Sequence, residues 1–250
     1  MRVLRLGNSE DMRDDLPLES RAWHVAGAQL EAAVGEPVET VLRPIKPTAE
    51  LPGLVDEWIE DARPDLVFLK VTWYWYAYES VPRRIERIFG RAGRPVARAG
   101  TAATRNPTVV RNSAFKLGRR AAHRLIGGDT PYPAASVLDV MEATVRRVLA
   151  HESIALLVKG TGGSREQAGD GFYGPVERFA ERKLQVEGGI ERFCDGLGVP
   201  YIGTPTRSEV SAAEVKRGDG IHRGELGHGR MGMHEGESMV AAWRAFNARG

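Results

Sequence analysis

The sequence predicts an α/β protein in which a parallel sheet is covered by helices on both faces. Short apolar runs alternate along the chain with segments of helical periodicity, which is typical of this class. A chain of 250 residues is long enough to bury a full core. No linker-like stretch divides it, so we expect a single domain over residues 1–250.

The strands are predicted from apolar runs that end at glycine, proline or polar residues. The third run, Leu66–Val71, is apolar enough to be central in a parallel sheet. The fifth run is short and is expected at an edge. The five predicted strands cover residues 3–6, 38–45, 66–71, 154–158 and 199–202.

The helices are predicted from apolar residues that recur at steps of three and four. Gly35 and Gly198 are expected to end two of them. Acidic residues between Glu10 and Glu19 would suit the start of the first helix, where the helix dipole favours negative charge. The predicted helices cover residues 18–33, 54–62, 137–149 and 186–197.

The composition is that of a globular protein, with 42% hydrophobic and 27% charged residues. The formal net charge of +2 is too small to indicate a particular partner. Cys194 is the only cysteine, which excludes an internal disulfide and favours a reducing compartment. Residues 1–7 lack the apolar region of a signal peptide, and no run of about 18 apolar residues could span a membrane. We therefore expect a cytoplasmic protein.

Residues 87–128, called here the basic segment, contain ten Arg or Lys residues and no Asp or Glu. Few of the remaining residues are large and apolar, so we expect an insertion or a cap over the domain. Such a segment could hold an anionic substrate, a nucleic acid or an acidic membrane surface. A nucleic-acid site has little support, because Phe115 is its only aromatic residue after Phe89. The favoured interpretation is a solvated surface whose arginines pair with the acidic residues at 50–65.

Five aromatic residues lie within six positions directly after the third strand. Two interpretations of this cluster remain open. It could pack in the core or at a subunit interface. It could also form a wall of the substrate site, because ligands of open α/β sheets bind beyond the carboxyl ends of the strands. The five residues are Trp73, Tyr74, Trp75, Tyr76 and Tyr78.

Three other patterns suggest a cofactor or a metal, but their context does not support either. Residues 169–174 fit G-x-G-x-x-G, yet they lie several residues past their strand. Residues 160–163 lack the G-K-[ST] ending of a phosphate loop. His222, His228 and His234 are evenly spaced, but the glycines around them predict a loop and no strong zinc spacing occurs. No metal or organic cofactor is therefore implied.

Ser9, Asp219 and His222 are the candidate catalytic residues. A serine hydroxyl needs an imidazole to accept its proton, and a carboxylate usually fixes the tautomer of that imidazole. Asp219 lies three residues before His222, so on a loop its carboxylate can turn back to Nδ1 of the ring. Two other interpretations remain open. Ser9 could cap a helix that begins at Glu10, and Asp219 and His222 could form a purely structural pair.

On these residues the chain resembles the SGNH (GDSL-like) hydrolase family. Residues 6–9, Leu-Gly-Asn-Ser, match the block that places the family's nucleophile after the first strand, with Asn8 in the usual aspartate position. Residues 219–228 match the D-x-x-H block and the glycine-histidine pair that often follows it. Pro64–Val67 resembles the strand before the family's G-x-N-D block. The resemblance covers residues 1 to about 84 and 137 to 245.

The resemblance implies a flavodoxin-like three-layer sandwich with a five-stranded parallel sheet. It also implies a serine esterase that acts on a small-molecule ester through an acyl-enzyme. An acyltransferase on the same triad, or a non-catalytic module that binds an anionic partner, is the alternative. The sequence departs from the family at residues 72–75 and 46–47, where the asparagine and glycine that donate to the oxyanion are absent. Candidate substitutes or substrate contacts are Lys46, Thr72, Trp73, Tyr74 and Gly160.

Overall fold

Five parallel strands form a sheet in the computed structural model, which describes residues 1–12, 14–106, 108–109, 112–160, 176–203 and 223–249. The strand order, β2-β1-β3-β4-β5, is that of flavodoxin-like folds. All five predicted strands are confirmed, and the short fifth strand lies at an edge as expected. The strands are β1 (Arg2–Gly7), β2 (Glu39–Pro44), β3 (Leu66–Lys70), β4 (Ala155–Lys159) and β5 (Tyr201–Ile202).

Within the described residues, seven α-helices accompany the sheet. Short 3-10 turns occur at Leu18–Ser20 and Trp73–Trp75. None of the described helices has the length and apolar character needed to cross a bilayer. The helices are α1 (Ala22–Val34), α2 (Leu51–Ala62), α3 (Val81–Arg105), α4 (Ser113–Ile126), α5 (Ala134–Leu149), α6 (Val176–Leu197) and α7 (Glu225–Asn247).

Helices cover both faces of the sheet. Successive residues of a strand point to opposite faces, so each strand contributes side chains to two separate cores. On one face, Leu69 of β3 belongs to a core cluster with α2, α5 and α6, in which Met141 is fully buried. On the other face, Phe68 packs in a cluster with Leu30 of α1 and Met239 of α7. Strands β3 and β4 are buried along their whole length. The structure is therefore a three-layer α/β fold, as predicted.

The first helix begins later than predicted. Residues 9–12 form a turn, and α1 begins only at Ala22. The side chains of Glu10 and Asp11 therefore do not stabilise a helix start; each of them binds a cation instead. Gly35 ends α1 in the left-handed conformation, with a φ of 75°, as expected.

The C-terminal helix α7 corrects the prediction of a glycine-rich loop. Glycine lowers helix propensity, which is why the sequence around residues 224–236 suggested a loop. In the structure two of these glycines, Gly232 and Gly236, let α7 approach α1 closely. A Cβ on Gly232 would lie 2.6 Å from Cβ of Val25 and 2.7 Å from the carbonyl oxygen of Ala22. Packing against α1 therefore outweighs the low helix propensity of this segment.

The basic segment contributes most of α3 and all of α4. Where the basic segment joins the rest of the chain, Ser80 and Asp129 exchange two backbone hydrogen bonds of 2.9 and 3.2 Å. Arg87 and Arg94 form ion pairs with Asp129 and Glu86, at 2.5 and 3.2 Å. The expected pairing with acidic residues before the third strand is therefore wrong for these two arginines. The description of the segment as an insertion into a single domain stays a prediction.

Candidate active site

The carboxyl ends of the strands bring six of the predicted site residues to one edge of the sheet. Gly7 of β1 pairs with Pro44 of β2, and Lys70 of β3 pairs with Lys159 of β4. Because the strands are parallel, the turns that follow them start at the same edge, where ligands of open α/β sheets bind. The predicted residues that follow these strands are Ser9, Lys46, Thr72, Trp73, Tyr74 and Gly160.

Ser9 lies exposed on a turn directly after β1. Asp11 holds this turn: its N–H donates to the carbonyl of Asn8 at 3.0 Å, and its carboxylate accepts from the N–H of Asn8 at 3.1 Å. A Cβ on Gly7 would lie 2.8 Å from Cγ of Asp11, so the turn requires glycine there. Among the described residues, the N–H of Ser9 has no hydrogen-bond acceptor. Because α1 begins well after this turn, the interpretation of Ser9 as a helix cap is wrong.

Glu10 connects the turn after β1 to the C-terminal part of the chain. Its carboxylate accepts hydrogen bonds from the backbone N–H of Arg223 at 3.0 Å and from Nη1 of the same residue at 3.1 Å. Burial alone would raise the pKa of Glu10, but the Arg223 guanidinium helps to lower that pKa below its usual range. The other two predicted triad members, Asp219 and His222, lie outside the described residues, and their roles stay predictions.

A buried cluster of charged side chains holds the same turn. Nη2 of Arg5 is 2.6 Å from a carboxylate oxygen of Asp11 and 2.6 Å from one of Glu235. Nζ of Lys70 lies 3.2 Å from Asp11 and 4.0 Å from Glu235. Lys159 forms an ion pair with Glu235. The cluster joins the two ends of the chain, because Asp11 follows β1 whereas Glu235 belongs to α7.

The charges of this cluster keep one another ionised despite their burial. Burial by itself would raise the pKa of Asp11, but Arg5 and Lys70 lower it to about 2. Burial lowers the pKa of Lys159 to about 8, although Glu235 partly compensates. Three cations and two carboxylates leave the cluster with one net positive charge at neutral pH. A positive charge beside the turn after β1 favours an anion or a developing oxyanion there.

His228 of α7 is buried against the same turn. Its Nδ1 accepts from the N–H of Ala22 at 3.4 Å, and its Nε2 lies 3.9 Å from a carboxylate oxygen of Glu10. Burial lowers the pKa of His228 to about 4, despite the nearby Glu10 carboxylate, so the ring is neutral at pH 7. His234 lies six residues further along α7, on a different face of the helix. Within the described part of the chain, no three His, Cys, Asp or Glu side chains are arranged to hold a metal ion.

The sequence analysis missed the buried cluster, although a signal was present. Arg5 interrupts the apolar run of the first strand, and Lys70 and Lys159 each end an otherwise apolar strand. Cations on buried strands need partners, because an unpaired buried charge is strongly unfavourable. The partners could not be identified from spacing, since Glu235 lies 230 positions from Arg5.

The suggested oxyanion donor is an N–H in the turn at Gly160; residues 161–163 of that turn lie outside the described residues, so this donor stays a prediction, and only the N–H of Gly160 itself can be described. It donates to the carbonyl of Ile202 at 2.8 Å and so continues the pairing of β4 with β5. This N–H is therefore already hydrogen-bonded within the sheet. Lys46 is exposed and Thr72 is half-buried at the same edge, and both stay predicted substrate contacts.

The two interpretations of the aromatic cluster, core packing and a wall of the substrate site, apply to different members of it. Trp75 and Tyr76 are buried in the core, so packing accounts for them. Tyr74 is 43% exposed and stacks on the ring of Tyr78, with 4.8 Å between the ring centroids. Trp73 is half-buried at the carboxyl edge. Trp73 and Tyr74 are therefore the members with accessible surface at this edge, and their contact with a substrate stays a prediction.

A cavity of about 550 Å³ lies at the opposite edge of the sheet. Its lining includes Ile154 and Val199, which precede β4 and β5, and Phe246 near the end of α7. Ligands of open α/β sheets bind at the carboxyl ends of the strands, so this cavity is not assigned to the active site.

No protein-family model matches the sequence, and no curated protein is significantly similar to it. Solved structures share its fold along almost the whole chain. The psychrotrophic esterase EstA from Pseudoalteromonas sp. has a TM-score of 0.55 at 9% identity, over 99% of this chain and 98% of its own. Est24, a carbohydrate acetylesterase from Sinorhizobium meliloti, has a TM-score of 0.53 at 13% identity, over 96% and 98%. A protein from Desulfitobacterium hafniense, described as lipolytic and of the G-D-S-L family, has a TM-score of 0.53 at 11% identity, over 96% and 98%.

Identities this low establish a common fold and leave the activity to be argued from the site. The chain has the three-layer fold of the SGNH (GDSL-like) esterases. At the level of the fold, the resemblance predicted from the sequence is therefore confirmed.

Proposed function

We propose that the protein is a serine esterase that cleaves a carboxylic ester through an acyl-enzyme. Ser9 attacks the ester carbonyl, and His222 accepts the proton of Ser9 and later donates it to the leaving alcohol. Asp219 orients the imidazole and balances the charge of the imidazolium. Water, activated by the same imidazole, then releases the acid and restores Ser9. The mechanism requires no metal or organic cofactor.

The observation that carries the proposal is the contact between Glu10 and Arg223. Glu10 follows Ser9 in the sequence, and Arg223 follows His222. The N–H of Arg223 donates to the Glu10 carboxylate at 3.0 Å, across 213 positions of the chain. The contact supports the triad because the neighbours of the proposed nucleophile and of the proposed base touch each other.

The N–H of Ser9 is the proposed first oxyanion donor. The family's asparagine and glycine donors have no counterpart at residues 72–75 and 46–47. Losing one such donor typically lowers the rate by about 100- to 1000-fold. The net positive charge of the buried cluster offsets part of this loss by favouring negative charge near the turn. We therefore expect a slow esterase.

Hydrolysis of short p-nitrophenyl esters tests the proposal. Ser9→Ala and His222→Ala should each lower kcat/KM by at least about 1000-fold, because each removes a member of one catalytic unit. Ser20→Ala is the matched control. It removes a hydroxyl that is exposed and bonded to Glu225, and it should leave the rate unchanged. Full activity in Ser9→Ala would refute the esterase.

A non-catalytic binding module of the same fold is the second candidate. The observation that favours it is the sequence Thr72-Trp73-Tyr74-Trp75, which stands where the family has its oxyanion asparagine. The module predicts salt-sensitive retention on heparin, through the basic segment, without turnover of any ester. Turnover that depends on Ser9 would exclude the module.

A further inference from the structure

The basic segment folds into helices that the proposed active site does not use. Helix α3 reverses direction at Gly90, where φ is 54° and ψ is −129°. The second half of α3 then packs back on the first half. A Cβ on Gly93 would lie 2.6 Å from the carbonyl oxygen of Ile85, and one on Gly100 would lie 3.1 Å from Cγ of Pro82. Helix α4 contacts α3, so the segment forms a small layer of helices beside the sheet domain.

Large apolar side chains on this layer face solvent. The exposed fraction is 59% for Phe89, 59% for Val96, 69% for Leu117 and 84% for Leu125. A helix that only covered a core would turn such side chains inward. Several exposed large apolar side chains in one segment make that segment a candidate binding surface.

Exposed arginines lie among these apolar side chains. Arg91 and Arg98 are seven residues apart and share one face of the second half of α3. Arg120 and Arg124 share one face of α4 with Leu117. All four arginines are exposed, and none of them forms an ion pair with a carboxylate in the part of the chain that the structure describes. As far as the described residues go, no carboxylate competes with an external anion for these charges.

We propose that the basic segment docks the protein on a membrane surface that contains anionic phospholipids. Arginine guanidinium groups bind the lipid phosphates, and the apolar side chains between them enter the interface, as in interfacial amphipathic helices. Charge complementarity supports this partner, because the segment has ten cationic residues and no carboxylate. A nucleic acid fits less well: it would leave Leu117 and Leu125 in water, and Phe89 is the one exposed aromatic among the segment's described residues.

The segment is tied to the rest of the protein close to the carboxyl edge of the sheet. Nε2 of His123 in α4 lies 2.8 Å from the carboxylate of Glu79, which also accepts from Arg182 of α6 at 2.8 Å. Arg119 of α4 donates to the hydroxyl of Tyr78. Tyr78 and Glu79 follow the 3-10 turn Trp73–Trp75 after β3, so docking holds the carboxyl edge of the sheet near the bilayer. The inference does not depend on esterase activity, because docking is measured without turnover.

Sedimentation with lipid vesicles tests the inference on the full chain. Vesicles of phosphatidylcholine with about 30% phosphatidylglycerol should carry the protein into the pellet, and pure phosphatidylcholine should not. Binding should weaken as salt is added. The combined change Arg91→Gln, Arg98→Gln, Arg120→Gln and Arg124→Gln should weaken binding roughly 500-fold, since each arginine near an anionic surface contributes roughly fivefold.

A matched variant distinguishes the contribution of the basic segment to vesicle binding from the effect of net charge alone. Arg146→Gln, Arg147→Gln, Arg192→Gln and Arg244→Gln remove the same four charges from exposed positions outside the basic segment, and binding should then change only a few-fold.

A second pair of changes, Leu117→Ser and Leu125→Ser, keeps the charge and should weaken binding about tenfold, because two apolar side chains no longer insert. Equal binding by the two arginine variants would overturn the inference. Tight binding of duplex DNA without vesicle binding would also overturn it, and would assign the surface to nucleic acid. Circular dichroism checks that each variant remains folded.

Discussion

Arg5 illustrates how single buried charges hold the site. Its guanidinium lies between Asp11 and Glu235 and 4.5 Å from the ring centroid of Phe68. Arg5→Met keeps the apolar stem but leaves two buried carboxylates without their shared cation. We expect the free energy of unfolding to fall by about 3–5 kcal/mol, measured by urea denaturation.

Arg43→Met provides the control for this change. Arg43 pairs with Asp61 at 2.9 Å, but that carboxylate is largely exposed. Exposed pairs contribute less than about 1 kcal/mol, so this variant should be nearly as stable as the parent. A similarly small loss for Arg5→Met would contradict the role of Arg5 in the buried cluster.

Because His228 is buried, we expect the stability of the folded protein to depend on pH. Burial lowers its pKa to about 4, whereas a histidine in the unfolded chain titrates near about 6.5. Between these values the unfolded chain binds a proton that the folded protein does not bind. The free energy of unfolding should therefore fall as the pH drops from about 6.5 to 4, by up to about 3 kcal/mol from this residue.

Urea denaturation at several pH values measures this effect. His228→Gln cannot take up the proton, so its stability should depend less on pH across that window than the stability of the parent. His151→Gln is the control, because it removes a partly exposed imidazole that pairs with Asp56, away from the turn after β1. Identical slopes for the parent and His228→Gln would show that another group controls the transition.

At the scale of elements, the contact between α1 and α7 depends on glycine. Gly232→Ala adds a Cβ against Val25 and the backbone at Ala22, so we expect a loss of about 1–3 kcal/mol from overpacking. Gly229→Ala is the matched control on the same helix. A Cβ at Gly229 meets nothing within 4 Å, so alanine should stabilise the helix by up to about 1 kcal/mol. Equal melting temperatures for the two variants would contradict the close packing.

The same contact explains why α7 could not be predicted. Propensity and local pattern both describe the segment around residues 224–236 as a loop, and only the neighbouring α1 makes glycine favourable at Gly232 and Gly236. The strands were predictable for the opposite reason. Buried parallel strands such as Leu66–Lys70 are apolar except for a terminal lysine, and their signal needs no knowledge of what covers them.

At the scale of the whole molecule, the sequence predicted that Ser9 follows the first strand at the carboxyl edge of the sheet, but not what surrounds Ser9. Local spacing identified Ser9 and its turn. The cluster around Arg5 joins residues more than two hundred positions apart, and such partners follow from the fold rather than from a motif. Asp219 and His222 stay predictions that rest on the family pattern and on the position of Arg223.

The central claim is that Ser9 is an activated nucleophile, and a fluorophosphonate probe tests this claim most directly. The probe reacts with a serine hydroxyl only when a base activates it. Peptide mass spectrometry should find the label on Ser9 in the parent protein, and His222→Ala should lose it. An unlabelled parent, or a label on another serine, would contradict the account.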